Sequence, residues 1–144
     1  MARAPERLVL FERALGRLDE ALARPEDAIV RDACIQRFEF TFEMAWGALQ
    51  AHAGAEGLEC VSPRDCFRTG FRLGLIEKNA PWMAMVEDRN RTAHTYDEST
   101  ATAIYRALPA YARLMRQLLE RLRAAQLRRT SDEAVSGQPP HRVG

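Results

Sequence analysis

Cysteine is scarce in this chain, and its three cysteines, Cys34, Cys60 and Cys66, form no recognisable pattern. An odd number of cysteines without a CxxC pair predicts neither a disulfide framework nor a zinc site. Long apolar runs are missing as well. None approaches the roughly 20 residues of a membrane helix, and the N-terminal segment lacks the continuous apolar stretch of a signal peptide. We therefore expect a reduced, cytoplasmic protein with no membrane segment.

An excess of charge of either sign is also missing. The 144 residues include 21 Lys and Arg against 20 Asp and Glu. This balance argues against nucleic-acid binding through bulk charge, but it leaves room for a local basic patch. The hydrophobic content of 47% and the charged content of 28% are typical of a globular protein. The length fits one domain with a substantial core.

No segment shows the alternation that is typical of strands, and apolar residues instead recur at helical spacing. A first helix carries an apolar stripe composed of Leu8, Phe11, Leu15, Leu18 and Leu22. A second helix should run from about Glu26 to Ala53 and end at Gly54, with Pro25 in its first turn. Because this second helix is apolar on two sides, we expect it to be central or shared with a partner chain.

Two short helices and one long helix are predicted to follow. Ser62 is the expected N-cap of a third helix that turns Phe67 and Phe71 inward, Gly74 its expected C-cap, and Asn79 the expected cap of a fourth. The last helix has the spacing of a bundle seam, interrupted by a proline that should kink it. The seam consists of Ile104, Leu108, Tyr111, Met115, Leu118 and Leu122, and the interrupting proline is Pro109.

These elements together predict an all-α fold, an antiparallel bundle of four to five helices. Residues 1–125 should form this helical domain. Residues 126–144 have few apolar side chains, so we expect a disordered C-terminal tail. The doubly apolar second helix and the seam of the last helix further predict a homodimer.

Histidine is rare too, and one of the three, His94, lies in a short polar segment with Arg89, Asn90 and Tyr96. On a helical wheel, Arg89 and His94 flank the inward apolar line. A polar or charged side chain beside a buried stripe must be paired or hydrated. A polar row on the second helix, either a solvated face or the lining of a cleft, consists of Gln36, Glu39, Glu43 and Gln50.

Two interpretations of the polar segment are open. In the structural one, His94 stabilises a helix C-terminus, Arg89 pairs with Glu39 or Glu43, and Tyr96 packs half-buried. In the functional one, Arg89 and His94 serve a common site. Because they lie roughly 140° apart on an ideal helix, either the helix breaks before His94 or a two-fold axis brings two chains together.

The functional interpretation fits cleavage of an RNA phosphodiester without a metal. A histidine can accept the proton of a 2′-hydroxyl and return one to the leaving oxygen. An arginine offers forked donors to the phosphorane oxygens, and Asn90 can orient the phosphate or ribose. Clustered His or Cys ligands for a metal are missing. A Ser or Cys nucleophile would lack a recognisable flanking motif.

The segment RNRTAHTY, residues 89–96, resembles the R-x4-H-x-Y motif of HEPN-domain proteins of the HepT type. Three blocks resemble, in the same order, proteins known as nucleotidyltransferase substrate-binding proteins. They read RDACIQRFEFTFEMAWGALQ, SPRDCFRTGFRLGLI and WMAMVEDRNRTAHTYDE. The resemblance covers roughly Leu8 to Arg123.

The resemblance implies a homodimeric helical toxin that cleaves RNA with neither metal nor cofactor. It also implies a partner, a minimal nucleotidyltransferase of the MNT type, that acts as antitoxin by transferring AMP from ATP. By position, Arg89 and His94 would be the catalytic pair and Tyr96 the AMP acceptor. The residues that would assist or bind substrate are Asn90, Glu39 and Glu43. An adenylate beside the cleft would repel RNA phosphate and occupy its place.

Two competing hypotheses remain at this level. The protein could be a non-catalytic substrate-binding subunit of a two-component nucleotidyltransferase, or a structural dimer whose polar motif only satisfies a buried seam. Gly47 in the second helix also has no assigned role. Similar sequences often carry a long basic side chain there, and a glycine inside a helix lowers its stability by about 1 kcal/mol relative to alanine. The basic row on the third helix is either solvated or contacts a phosphate or an acidic partner. It comprises Arg64, Arg68 and Arg72.

Overall fold

The computed structural model of the chain describes residues 3–136, which are helical with connecting turns and contain no strand. The helices are α1 (Ala4–Leu22), α2 (Ala28–Ala55), α3 (Pro63–Arg72), α4 (Trp82–Arg91) and α5 (Glu98–Ser136). A 3-10 turn, Thr92–His94, separates α4 from α5. The prediction of an all-α bundle is confirmed. Within residues 3–136, no helix is both long enough and apolar enough to cross a membrane.

Helix α2 is central, as its two apolar sides predicted, and packs against all four other helices. Helix α1 runs antiparallel to α2 and to α5, and α2 and α5 run parallel to each other. These directions follow from contacts at successive levels of the bundle: Gly47 with Arg7, Thr41 with Ala14, Arg116 with Asp19, Phe38 with Tyr111 and Arg129 with Ala55.

The core contains the apolar stripes that the spacing predicted. The side chains with almost no exposure include Phe11, Leu15 and Leu18 of α1, Phe38, Phe42 and Leu49 of α2, Phe67 of α3, Met85 of α4, and Ile104, Leu108, Met115 and Leu118 of α5. One prediction for α3 is wrong. Phe67 is buried, but Phe71 is 42% exposed, because the buried face of α3 consists of Cys66, Phe67, Thr69 and Gly70 and Phe71 lies outside it.

The start of α2 differs from the prediction. The helix begins at Ala28 rather than near Glu26, since Asp27 is its N-cap and the Asp27 carboxylate accepts a 2.7 Å hydrogen bond from the backbone N–H of Val30. Pro25 therefore lies in the loop and not in the first helical turn. Both a proline and an aspartate favour a helix start, and the side-chain cap determines the register here.

The ends of the short helices follow the sequence only in part. Ser62 is the N-cap of α3, as predicted, and its hydroxyl accepts a 3.2 Å hydrogen bond from the N–H of Asp65. Gly74 lies just beyond the end of α3 with φ of 76°, a backbone angle that favours glycine. The N-cap of α4, however, is Pro81 and not Asn79.

Cys60 and Cys66 form a disulfide, so the prediction of a chain without disulfides is wrong for this pair. Cys60 lies in the extended segment after α2, and Cys66 lies in the second turn of α3. The change of direction at Ser62 brings their Cα atoms to 5.1 Å, a distance that a disulfide spans easily. Cys34 is free and buried, and burial raises the pKa of its thiol.

Helix α5 continues through Gln126 to Ser136, where the sequence predicted a disordered tail. Arg129 explains the difference, since its guanidinium lies 2.9 Å from a carboxylate oxygen of Glu56 and also donates to the carbonyl oxygen of Ala55. Both acceptors lie at the end of α2, where backbone carbonyls lack helical partners. The rest of the predicted tail, residues 137–144, lies outside the described residues.

A partly buried polar contact fixes α4 against α5. The hydroxyl of Tyr111 donates a 2.6 Å hydrogen bond to the Asp88 carboxylate, and Arg91 lies 3.3 Å from the other oxygen of the same carboxylate. Burial and the neighbouring Asp88 raise the pKa of the Tyr111 phenol well above its ordinary value. This contact fixes Asp88, the residue directly before Arg89, against α5.

Replacement of Phe38 tests the centre of the core. Phe38 has no exposed surface and packs its ring 5.7 Å from Tyr111 and 6.1 Å from Phe42. Phe38→Ala should lower the free energy of unfolding by about 3–5 kcal/mol, because it leaves a cavity. The exposed Gln36 on the same helix is the control, and Gln36→Ala should stay within about 0.5 kcal/mol of wild type. Urea unfolding followed by circular dichroism measures both, and equal losses would contradict this packing.

Replacement of Tyr111 tests the contact between α4 and α5 through pH. The folded state holds the Tyr111 proton more tightly than the unfolded chain, so stability falls as pH rises above about 10, the ordinary tyrosine pKa. Tyr111→Phe removes the ionisable group and with it the part of the stability loss at alkaline pH that is due to Tyr111. Its Tm should therefore fall less steeply than that of wild type above about pH 10. Tyr96→Phe keeps the Tyr111–Asp88 contact and serves as control. If the Tm of Tyr111→Phe fell with pH in parallel with wild type, the hydrogen bond from Tyr111 to Asp88 would not contribute to stability in the proposed way.

Candidate functional site

Arg89 lies near the end of α4 and faces α2. Its Nε is 3.3 Å from a carboxylate oxygen of Glu43, and its Nη1 is 4.0 Å from a carboxylate oxygen of Glu39. The side chain is 31% exposed. The buried Nε makes no hydrogen bond within the described residues, because its N–H does not point at the nearby oxygen. Two carboxylates thus hold the guanidinium, while part of it faces solvent.

Thr92 connects this ion pair to the end of the helix, and sequence reasoning missed it. Its hydroxyl lies 2.9 Å from an oxygen of Glu39 and 2.7 Å from the carbonyl oxygen of Arg89. Thr92 is buried, which is unusual for a polar residue beyond a helix end. Its position directly after the last helical residue was the available signal, since a threonine there can bond to a free carbonyl of the last turn.

His94 lies outside α4. The α-helix ends at Arg91 and the chain continues as the 3-10 turn, so a break before His94, one of the two predicted geometries, is present. The imidazole is exposed, and its Nδ1 lies 3.4 Å from the Tyr96 hydroxyl, with the two rings edge to face. Within residues 3–136 no hydrogen bond joins His94 to Arg89.

The phenol and the amide of the motif are both on the surface. Tyr96 is 85% exposed, so the half-buried packing that the structural interpretation predicted for it is wrong, whereas the pairing of Arg89 with Glu39 and Glu43 in the same interpretation is confirmed. Asn90 is exposed as well and makes no hydrogen bond in the part of the chain that the structure describes. Directly after Tyr96, Asp97 accepts hydrogen bonds from Thr100 and Ser99, which lower the pKa of its carboxyl group.

The side chains of the motif therefore form two separate groups. Arg89 joins Glu39 and Glu43 on α2, and His94 joins Tyr96 at the surface. Packing explains the first group, since a partly buried guanidinium must be paired. It does not explain the second group, whose side chains make few contacts. A solvent-exposed imidazole beside a phenol is accessible to a large substrate and can exchange protons with it.

The basic row of α3 lies beside α4. The Arg64 guanidinium is 3.6 Å from the sulfur of Met83 and 4.0 Å from a carboxylate oxygen of Glu87, both on α4. Arg68 and Arg72 are exposed, and no ion pair holds them within residues 3–136. The row thus extends from the flank of α4 along α3. Among the same residues, no group of three or more His, Cys, Asp and Glu side chains could hold a metal ion.

Comparison with known proteins is consistent with this fold. Residues 6–124 match the family described as nucleotidyltransferase substrate binding protein like. A Haemophilus influenzae protein named probable ribonuclease HepT is 31% identical over 103 residues, which are 68% of this chain and 70% of that protein.

Two solved structures share the fold. A Thermus thermophilus protein is 47% identical, with a TM-score of 0.75, over 78% of this chain and 98% of its own. A Haemophilus influenzae protein, whose structure is described as revealing the fold of a substrate binding domain of a nucleotidyltransferase, is 25% identical, with a TM-score of 0.73, over 81% of this chain and 98% of its own. This chain belongs to the nucleotidyltransferase substrate-binding-protein-like family.

Proposed function

We propose that this protein is a metal-independent endoribonuclease toxin of the HEPN type that acts on RNA in the cytoplasm through Arg89 and His94. The observation that carries the proposal is the helix break after Arg91, which leaves the His94 imidazole exposed beside the Tyr96 phenol. A purely structural motif has no need of that exposure. The similarity to a protein named probable ribonuclease HepT supports the same function.

The chemistry follows from the properties of the two side chains. The imidazole of His94 takes the proton of a ribose 2′-hydroxyl, and the 2′-oxygen attacks the adjacent phosphorus. The bond from phosphorus to the 5′-oxygen breaks, and that oxygen receives a proton from an imidazolium. The products are a 2′,3′-cyclic phosphate and a 5′-hydroxyl end. The free donors of Arg89 stabilise the charge that grows on the phosphorane oxygens.

The remaining polar residues have supporting roles in this proposal. Glu39 and Glu43 position Arg89, which they contact at 4.0 and 3.3 Å, rather than binding RNA themselves. The exposed Asn90 lies one residue after Arg89 and binds the phosphate or the ribose. A homodimer completes the site, because Arg89 and His94 of one chain share no hydrogen bond and a two-fold axis can place His94 of one protomer near Arg89 of its partner.

Control by modification is the second half of the proposal. A minimal nucleotidyltransferase of the MNT type acts as antitoxin and transfers AMP from ATP to Tyr96. The phenol oxygen attacks the α-phosphorus, the phenolic proton is lost, and pyrophosphate leaves. The 85% exposure of Tyr96 makes its hydroxyl accessible to a partner enzyme. An adenylate there adds negative charge within a few ångströms of His94 and repels RNA phosphate.

A non-catalytic subunit of a two-component nucleotidyltransferase is the second candidate function. The observation that favours it is the pairing of Arg89 with two carboxylates, Glu39 and Glu43. Their charges outweigh that of one guanidinium and oppose the approach of a phosphate. In this alternative, the exposed segment around His94 and Tyr96 contacts the partner enzyme or its nucleotide.

RNA cleavage in the presence of a chelator tests the first candidate. We expect the purified protein to cleave single-stranded RNA in EDTA. His94→Ala and Arg89→Ala should each lower the rate by about 100-fold or more, because each removes a group that acts in the transition state. Arg113, exposed on α5, supplies a matched control, and Arg113→Ala should keep the wild-type rate. Circular dichroism verifies folding of each variant. RNA that stays intact with wild type from pH 5 to 9, although it binds, favours the non-catalytic subunit.

Mass spectrometry of coexpressed protein tests the modification. When the chain is expressed with an MNT-type nucleotidyltransferase, its intact mass should rise by that of one or more adenylate groups. Tyr96→Phe should abolish the increase because it removes the acceptor oxygen, whereas Tyr105→Phe should retain it. Modified protein should also cleave RNA more slowly than unmodified protein. An equal mass increase in wild type and Tyr96→Phe would show that another residue accepts AMP.

A further inference from the structure

We propose that a second cleft, which is not lined by Arg89, Asn90, His94 or Tyr96, binds a small organic anion that carries a hydrogen-bond donor. The cleft lies between the start of α1, the end of α2 with the segment that follows it, and the last turns of α5. Its volume is about 940 Å³, which is within the range of small-molecule sites. None of the motif residues lines it.

Arg7 supplies the positive charge of the cleft. Its Nε is buried and makes no hydrogen bond, and no carboxylate pairs with its guanidinium within residues 3–136. The guanidinium lies over Gly47, with Nη1 3.0 Å from the point that a Cβ at this position would occupy. The absence of a side chain at Gly47 therefore makes room for Arg7. A partly buried cation without a counter-charge is costly, and an anion in the cleft removes that cost.

The other basic side chains of the cleft already have acidic partners. Arg3 lies 3.6 Å from Glu6. Arg129 lies 2.9 Å from Glu56 and 3.6 Å from Glu133. Glu59, the remaining acid of the wall, is exposed and makes no ion pair with Arg7. Within residues 3–136, Arg7 is therefore the one basic side chain of the lining without an acidic partner, whereas the unpaired Glu59 is solvent-exposed and its charge is screened by water. The partly buried Arg7 matches a ligand with a single negative charge.

A second unpartnered atom defines the rest of the ligand. The side chain of Gln126 lines the cleft, and its buried Oε1 atom accepts no hydrogen bond from described residues, so a rotation of the amide toward the cleft would let Oε1 accept from a ligand N–H or O–H. The lining also contains apolar side chains, among them Pro5, Ala51 and Leu58. Gln50, another lining residue, donates a 2.8 Å hydrogen bond to the carbonyl of Cys60 and so joins α2 to the segment that follows it.

The ligand class is thus a monoanion with an apolar body and a donor group, and three aromatic probes separate these features. We use 4-aminobenzoate, which has the charge and the donor, benzoate, which has only the charge, and 4-aminobenzamide, which has only the donor. The longer 4-aminophenylacetate allows for a different separation of the two groups. Saturation-transfer NMR detects weak binding to the intact protein, and the rise of Tm with probe concentration gives the affinity.

We expect at least one amino-substituted carboxylate to bind wild type with a Kd on the order of 1 mM or below. Arg7→Met should weaken it by about tenfold or more, because a charged hydrogen bond is lost. Arg13, exposed on the same helix, is the matched control, and Arg13→Met should bind like wild type. Gln126→Leu should reduce the advantage of 4-aminobenzoate over benzoate.

Gly47→Ala provides a test that does not depend on removal of Arg7. The new methyl group requires the flexible guanidinium to move aside, so anion binding should weaken by a similar factor. The Tm of the probe-free variant should not fall, since alanine favours a helix more than glycine does. RNA cleavage should be unchanged in Arg7→Met and Gly47→Ala, which separates this proposal from the ribonuclease.

Three results would overturn the anion site. The first is that neither amino-substituted carboxylate binds wild type at millimolar concentration. The second is equal binding of the carboxylate and the neutral amide, which removes the role of charge. The third is a change of oligomeric state in Arg7→Met, measured by light scattering, which would make the cleft a contact between chains.

Discussion

The carboxylate of Glu39 determines where the candidate site can form, because it connects α2 to the point at which α4 ends. One of its oxygens lies 2.9 Å from the Thr92 hydroxyl and 4.0 Å from Nη1 of Arg89. The Thr92 hydroxyl also lies 2.7 Å from the carbonyl oxygen of Arg89, whose backbone is in the last helical turn. The single hydrogen of the Thr92 hydroxyl has both the half-buried carboxylate and the carbonyl of the helix end within reach, so Thr92 links the two. The exposure of His94 depends on this arrangement, since a continued α-helix would carry that side chain elsewhere.

Polar contacts from two different helices, α2 and α5, fix the position of α4. Glu39 and Glu43 contact Arg89 from α2, and Tyr111 of α5 bonds to Asp88. The helix is only ten residues long, too short to be stable without tertiary contacts. Polar contacts to both long helices therefore hold a short element whose own apolar face is small. This arrangement suits a segment that must present polar groups at a fixed place.

Much of the fold could be predicted from the sequence because apolar spacing indicates which face of each long helix is buried. The stripe through Phe11 and Leu15 and the seam through Ile104 and Leu108 are both in the core. The features that could not be predicted depend on contacts between distant residues. The length of α5 depends on Arg129 reaching the end of α2, and the Cys60–Cys66 disulfide depends on the turn between them.

The candidate site was predictable in composition but not in arrangement. The sequence identified Arg89, His94 and Tyr96, and it predicted a break before His94 as one of two geometries. It did not identify Thr92, because a lone threonine after a helix carries no pattern that separates a buried contact from a solvated one. The hydrogen bond between Thr92 and Glu39 joins residues 53 positions apart, and only the packing of α4 on α2 creates it.

The polar row of α2 shows why a central helix can carry polar side chains without loss of stability. The alternatives were a solvated face or the lining of a cleft, and its members have different surroundings. Gln36 is solvated, Glu39 and Glu43 contact Arg89 on α4, and Gln50 donates to the Cys60 carbonyl. The partner shared by Glu39 and Glu43 and the partner of Gln50 come from different parts of the chain, so no single neighbouring helix imposes the row. The polar stripe on this central helix is therefore best explained residue by residue, by the groups that each side chain contacts.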